Sequence, residues 1–229
     1  MREIVFDTET TGVDPASGDR VVEIGCIELS NYVPTGRNFH AYINPQRPMS
    51  EGAYRVHGLS DAFLADKPIF ADIAPAFVAF IADSPLIAHN MSFDAGFMNM
   101  EFKRLSIPPL NPDRLIDTLL LARRKHPGAV NTLDALCARY SIDNSRRTKH
   151  GALLDAEILA EVYVELRGGR QANLVLTATE QAAAVRTRPP VVQRSKPLPT
   201  RLTEAEKEAH AEFIAKLGDK ALWRGYMPE

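Results

Sequence analysis

Apolar residues alternate or cluster in short stretches over the first fifty positions. "REIVF" (2–6), "RVVEIGCIEL" (20–29) and "NFHAYINP" (38–45) are rich in β-branched and aromatic residues and bounded by turn formers, the pattern of strands. Three in succession predict an antiparallel meander. The period then changes. "DIAPAFVAFIAD" (72–83) sets Ile73, Phe77, Phe80 and Ile81 at helical spacing, with Pro75 expected in the first turn, where a missing N–H is tolerated. "PLIAHN" (85–90) is a fourth short apolar run. Four helices are predicted after it: "FDAGFMNMEFKRL", "RLIDTLLLARR", "TLDALCARY" and "GALLDAEILAEVYVELRGG", the last stopping at Gly168–Gly169. Strands first, then helices with one strand interposed, give an α/β mixed sheet flanked by helices.

Past Gly169 the periodicity is lost. Residues 170–202 carry Pro189, Pro190, Pro197 and Pro199, and six basic side chains (Arg170, Arg186, Arg188, Arg194, Lys196, Arg201) against Glu180 alone. That composition reads as a flexible linker. Residues 203–229 then open on Thr203 and Glu206, a capping-box pair, and Ala209, Phe213, Ile214 and Leu217 form a stripe. The only tryptophan, Trp223, follows. A lone short helix cannot bury such a stripe on itself. It folds back on the main domain or docks on another protein, and the long linker favours docking. The expected division is therefore a domain over 1–169, a linker over 170–202 and a helical tail over 203–229.

Composition narrows the picture modestly. With 229 residues, 45% hydrophobic and 24% charged, and a formal net charge of -2, the chain has enough material for one sizeable core plus an appendage. It does not have the basic surface of a protein that grips nucleic acid all over, although a local site remains open. Cys26 and Cys137 stand singly in apolar surroundings and read as reduced core residues of a cytoplasmic protein. No apolar run is long enough to span a membrane.

The candidate chemistry begins at "IVFDTETTG" (4–12). Asp7 and Glu9 lie two apart at the end of a strand, so both project from one side of it. Either both sit in water as surface decoration, or a cation lies between them. Hard divalent cations take carboxylate oxygens, and a site for them needs acids from elsewhere. Asp94 in "HNMSFDAGF" and Asp155 in "HGALLDAEIL" stand at helix starts on segments whose apolar faces must reach the core. His150, five residues before Asp155, could reach the same place from a loop. Taken singly, each acid also fits a helix-dipole role and the histidine a cap. The ordered set is what points to a site.

"FDTETTG", "HNMSFD" and "HGALLDA" resemble the three motifs of the DnaQ-like, or DEDD, 3′–5′ exonucleases, and a histidine five before the last acid marks the DEDDh branch. "VHGL" (56–59), "IDTLLLARR" (116–124) and the stretch from Thr132 to Tyr163 are similar to the family of proofreading epsilon subunits of bacterial DNA polymerase III. The resemblance is dense over residues 1 to about 170 and returns in outline at the tail. It implies a ribonuclease H-like fold and two divalent metal ions, Mg²⁺ or Mn²⁺. The metal-binding acids would be Asp7, Glu9, Asp94 and Asp155, with Asp7 bridging, and the general base would be His150. It also implies that His57 and a backbone loop at Thr10, Thr11 and Gly12 meet the terminal nucleotide, together with Asp7, Glu9 and Asp155. The family pattern has a glutamate five residues before that histidine; here Gly52 stands there and Glu51 one place earlier. Either Glu51 substitutes, or that contact is lost. His89 and Asn90 read as substrate-side residues or, preferably, as caps of the following helix, and Asp117 as an outer support.

"RQANLVL" (170–176) resembles a short clamp-binding motif, with Gln171 and Leu174 as anchors and Leu176 at its apolar end; a chance match is the alternative. The implied partners are a single-stranded 3′ end of DNA, the sliding clamp, the replicative polymerase catalytic subunit held through the tail and Trp223, and a small accessory subunit on the exonuclease domain. A non-catalytic clamp–polymerase tether and an RNA-trimming exonuclease of the same fold stay open. The first has no use for five costly polar groups, and the second needs neither clamp motif nor docking helix.

Overall fold

The computed structural model describes residues 1–147, 149–168 and 202–217, which fall in two compact units, one within residues 1–175 and one within 176–229. The first unit is built on five strands: β1 (Arg2–Thr10), β2 (Val21–Ser30), β3 (Val33–Tyr42), β4 (Leu86–Ala88) and β5 (Leu115–Asp117). They lie in the order β3-β2-β1-β4-β5. The expected meander forms the antiparallel part, and β4 and β5 add to β1 in parallel. This is the α/β mixed sheet that the order of elements in the sequence predicts.

Alternation along β1 supplies both cores. Ile4 and Phe6 join Ile24 and Cys26 of β2 under helices α3 (Phe70–Ile81) and α4 (Met91–Arg104). Val5 projects to the opposite face and packs with Ile27, Leu29 and Ile87 against Ala156, Leu159 and Tyr163 of α7 (Ala152–Leu166). Each fully buried side chain of this size contributes about 1.5–3 kcal/mol, so helices on both faces are held chiefly by apolar burial. Glu3 shares the α7 face and is buried; the Tyr163 hydroxyl donates to its carboxylate at 2.8 Å.

Several elements differ from expectation. Two short helices, α1 (Glu51–His57) and α2 (Asp61–Leu64), precede α3. Their signal is in caps rather than in periodicity: Ser50 accepts from Ala53 N–H, and Gly58 closes α1 at φ 74°. Helix α3 begins at Phe70, two residues before the apolar pattern suggests, because Asp72 accepts from the Ile69 N–H at 3.2 Å. Pro75 therefore lies inside the helix and forgoes one backbone bond. "RLIDTLLLARR" is not one helix. Leu115–Asp117 pairs with β4, and Asp117 caps α5 (Thr118–Lys125) by accepting from Leu119 N–H at 2.8 Å. Helix α6 (Leu133–Tyr140) follows. In the second unit, α8 (Glu204–Lys216) opens on the expected Thr203–Glu206 capping box. Gln171, Leu174, Leu176 and Trp223 lie outside the described residues.

Candidate active site

Parallel pairing sets the carboxyl ends of β1 and β4 side by side, and there the domain opens into a cavity of about 620 Å³. Asp7, Glu9, Thr10, His57, Asp94 and His150 all line it, as do His89, Asn90 and Phe93. Three local devices deliver the four acids. Asp7 and Glu9 share the face of β1 that looks toward α7 and are paired across the ladder with Gly25 and Glu23. Gly25 matters because a Cβ there would stand 2.2 Å from the Leu153 nitrogen. Its absence lets the first turn of α7 lie directly on the sheet beside Asp7, which brings Asp155 to the site. Asp94, in the first turn of α4, accepts from the Thr8 N–H at 3.1 Å and its hydroxyl at 2.7 Å.

The turn that carries α4 is itself braced. Asn90 occupies the N-cap position in a left-handed conformation (φ 68°) with no side-chain cap bond, and its N–H donates to Asp117 at 3.2 Å. The His89 ring nitrogen Nδ1 lies 2.9 Å from the Thr118 hydroxyl, which donates to the Ala88 carbonyl at 3.2 Å. His89 is thus a cavity wall fixed to the β4–β5 edge rather than a helix cap. His57 ends α1; its Nδ1 accepts from Leu59 N–H at 3.0 Å, which leaves Nε2–H to donate to the Thr10 carbonyl at 3.3 Å. Burial lowers its pKa and the Thr10 bond opposes that shift. Glu51 is exposed, paired with Arg55 of its own helix, and does not line the cavity, whereas Gly52 does.

Electrostatics divides the four acids. Burial, reinforced by the charges of Asp94, Glu9 and Asp155, raises Asp7 well above the usual carboxylate range. Glu9 is pushed to about 8 by burial and then by Glu23. Asp94 reaches about 7 through burial, against the opposing bonds from Thr8. Two like unit charges about 4 Å apart cost about 4 kcal/mol at an effective dielectric of about 20, so ionising all of them together needs a cation. Asp155 behaves oppositely. Burial would raise it, but hydrogen bonds from His150 and Arg147 and the Arg147 charge pull it below the ordinary value.

Two of these participants are not apparent from the motifs. Glu23, buried and 2.7 Å from His40 Nε2, faces Glu9, a position deducible only by pairing the meander in register. Arg147 has no local pattern at all. Among the described residues, one ligand atom each from Glu9, His150 and Asp155 lie within 4.8 Å of one another, close enough to share a metal ion, while Asp7 and Asp94 fall outside that group.

A sequence profile of the Exonuclease family matches residues 4–163, and the chain belongs to that family. At the level of individual relatives it is similar to DNA polymerase III subunit epsilon. The Rickettsia felis protein is 49% identical, covering 95% of this chain and 97% of its own length. The Escherichia coli protein is 43% identical, covering 97% of each. Among solved structures, exonuclease X in complex with 5′ overhanging duplex DNA superposes with a TM-score of 0.56 at 26% identity, over 72% of this chain and 91% of that one.

Proposed function

We propose that the chain is the proofreading 3′–5′ exonuclease of a bacterial replicative DNA polymerase, removing mispaired terminal nucleotides from DNA by phosphodiester hydrolysis in the cavity at the end of β1. The observation that carries this reading is the convergence of four acids from β1, α4 and α7 with one imidazole. Among the described residues, no lysine or arginine lies within hydrogen-bonding distance of Asp7, Glu9 or Asp94. Oxygen donors crowded in this way, with raised pKa values, fit hard divalent cations. Asp7, Glu9, Asp94 and Asp155 would hold two such ions, Mg²⁺ or Mn²⁺. Bound there, they supply the positive charge that lowers the pKa of water and neutralises the phosphate oxygens.

The chain's own residues do the rest. His150, exposed at the cavity rim, takes the proton of the attacking water. His57, with Nε2–H fixed on the Thr10 carbonyl, and the backbone at Thr10 orient the terminal nucleotide. Phe93 offers an apolar face to its base. Outside the described residues, Gln171, Leu174 and Leu176 would seat on the sliding clamp, and Trp223 with the tail helix on the polymerase catalytic subunit. An accessory subunit would sit on the exonuclease domain. Such tethers keep the nuclease at high effective concentration near the primer end. No helix among the described residues is long and apolar enough to cross a membrane.

The test digests paired and mispaired primer–templates and an RNA strand of the same sequence, each with Mg²⁺ and with EDTA. Metal-dependent shortening from the 3′ end, faster on the mispair, is expected. Preference for RNA would move the chain to RNA trimming, and inertness on all three substrates would leave only a tether.

A further inference from the structure

Arg147 lies on the loop between α6 and α7, yet its side chain is only 8% exposed. Its guanidinium takes both oxygens of Asp155, Nε to Oδ1 at 2.6 Å and Nη2 to Oδ2 at 2.8 Å. The third nitrogen, Nη1, lies 2.7 Å from Oδ1 of Asp134 on α6. Nη2 also stands 2.8 Å from His150 Nδ1 and 3.3 Å from Nε2. One cation therefore meets an acid and the imidazole of the proposed reaction, plus an acid outside it.

This arrangement closes the site on one side. Asp7, Glu9 and Asp94 line the cavity, and Asp155 does not. Nη2 lies nearly as close to Nε2 as to Nδ1 of His150, so the guanidinium rests against the ring, and Nδ1 is itself 3.2 Å from Asp155 Oδ2; the imidazole is held between Arg147 and Asp155. A carboxylate with both oxygens in an arginine fork cannot also present one to a dication without placing two cations side by side. Asp134, with its side chain 61% exposed and steadied by Asn144 at 3.1 Å, offers the guanidinium a second carboxylate.

We propose that Arg147 is the internal counter-ion of Asp155 in the metal-free protein, and that metal loading transfers it onto Asp134, freeing Asp155 and His150 in one movement. Arg147 is then a positioning residue that couples metal binding to release of the base. This inference rests on the reading of Asp155 as a metal ligand.

Calorimetric Mn²⁺ titration of the full chain tests it, with Arg147→Ala, Arg147→Gln, Asp134→Ala, the double alanine variant and Asp155→Asn. Removing a competing charge-assisted pair should tighten Mn²⁺ binding in Arg147→Ala by roughly tenfold, with Arg147→Gln moving the same way. Asp134→Ala should weaken binding by roughly threefold, since the displaced guanidinium loses its second partner, and that weakening should vanish in the double variant. Opposite signs for the two single alanine variants are the signature, because a merely structural role would move both the same way. Unchanged or weaker binding in both Arg147 variants, or equal signs for Arg147→Ala and Asp134→Ala, overturns the inference. Undiminished Mn²⁺ binding in Asp155→Asn would instead show that Asp155 is not a ligand, and the inference would fall with the reading beneath it.

Discussion

The two sides of the cavity handle the same problem differently. On the sheet side, Asp7, Glu9 and Asp94 are crowded with their pKa values raised and no cation bonded to them. On the loop side, Asp155 is just as deeply buried but carries Arg147, and its pKa is lowered. Buried acid alone is therefore not the mark of this site. On the sheet side burial and neighbouring acids make each ionisation costly, so ionising all three together calls for an external cation, while the loop side brings its own.

Removing the central acid should give the largest effect. Asp7→Ala should cut exonuclease turnover by roughly a thousandfold or more, about 4 kcal/mol of barrier, while the purified protein stays folded, since losing one clustered carboxylate relieves repulsion. Steady-state digestion of a single-stranded oligonucleotide, with a circular dichroism melt alongside, measures both. Activity within about tenfold of the unaltered chain would break the comparison at its centre. His150→Ala should come next, slowing cleavage by roughly 10²–10⁴-fold, with Mn²⁺ affinity little changed in calorimetry. Loss of metal binding together with activity would make the imidazole a ligand.

The pH dependence of stability separates the two sides by sign. Glu9, raised from 4.5 to about 8, and Asp94, raised from 3.8 to about 7, are protonated in the folded chain over a range where the unfolded chain is ionised. Their contribution is full below about pH 4 and lost as pH climbs to about 8. Asp155, with a lowered pKa, contributes above its ordinary value and loses that stability as pH falls below about 4. Urea denaturation of EDTA-treated protein should show stability falling from pH 5 to pH 8, and saturating Mg²⁺ should flatten or reverse the slope. A metal-free protein that gains stability over that range would contradict the account of the sheet side.

The smallest effects concern helix α1. Glu51→Ala should leave the KM for single-stranded DNA within about twofold, because that carboxylate stays on Arg55 at an exposed helix start. Gly52→Glu, at a cavity-lining position where an added Cβ meets nothing within 4 Å, should change that KM by about fivefold or more. Equal responses would show that neither position touches the substrate.

Much of this was legible in the residues. Asp7 and Glu9 announce themselves by the period of a strand, and Asp94 and Asp155 by their place in first helical turns whose apolar faces must turn inward. The meander and α4, α6 and α7 follow from their periods. What stayed hidden has a common cause. A three-residue strand such as Leu115–Asp117 and a seven-residue helix such as Glu51–His57, with His57 its one buried residue, are too short for periodicity to register. Arg147 is invisible for another reason: its partners lie eight and thirteen residues away and meet only through the course of a loop. Glu23 needed the register of β1 on β2.

The close seat of α7 over Gly25 has a consequence for how the protein comes into being. The first strands of the chain supply Asp7 and Glu9, but Asp155 arrives on the domain's last helix, packed on β1 and β2. A polypeptide emerging from the ribosome displays its opening acids long before that helix exists, because folding across such sequence separations awaits the later segment. Its four clustered acids cannot come together until synthesis has passed Leu166. On the proposed reading, a chain that stops before that helix lacks Asp155 at the site, so the ability to cut DNA would report that the whole domain has been made.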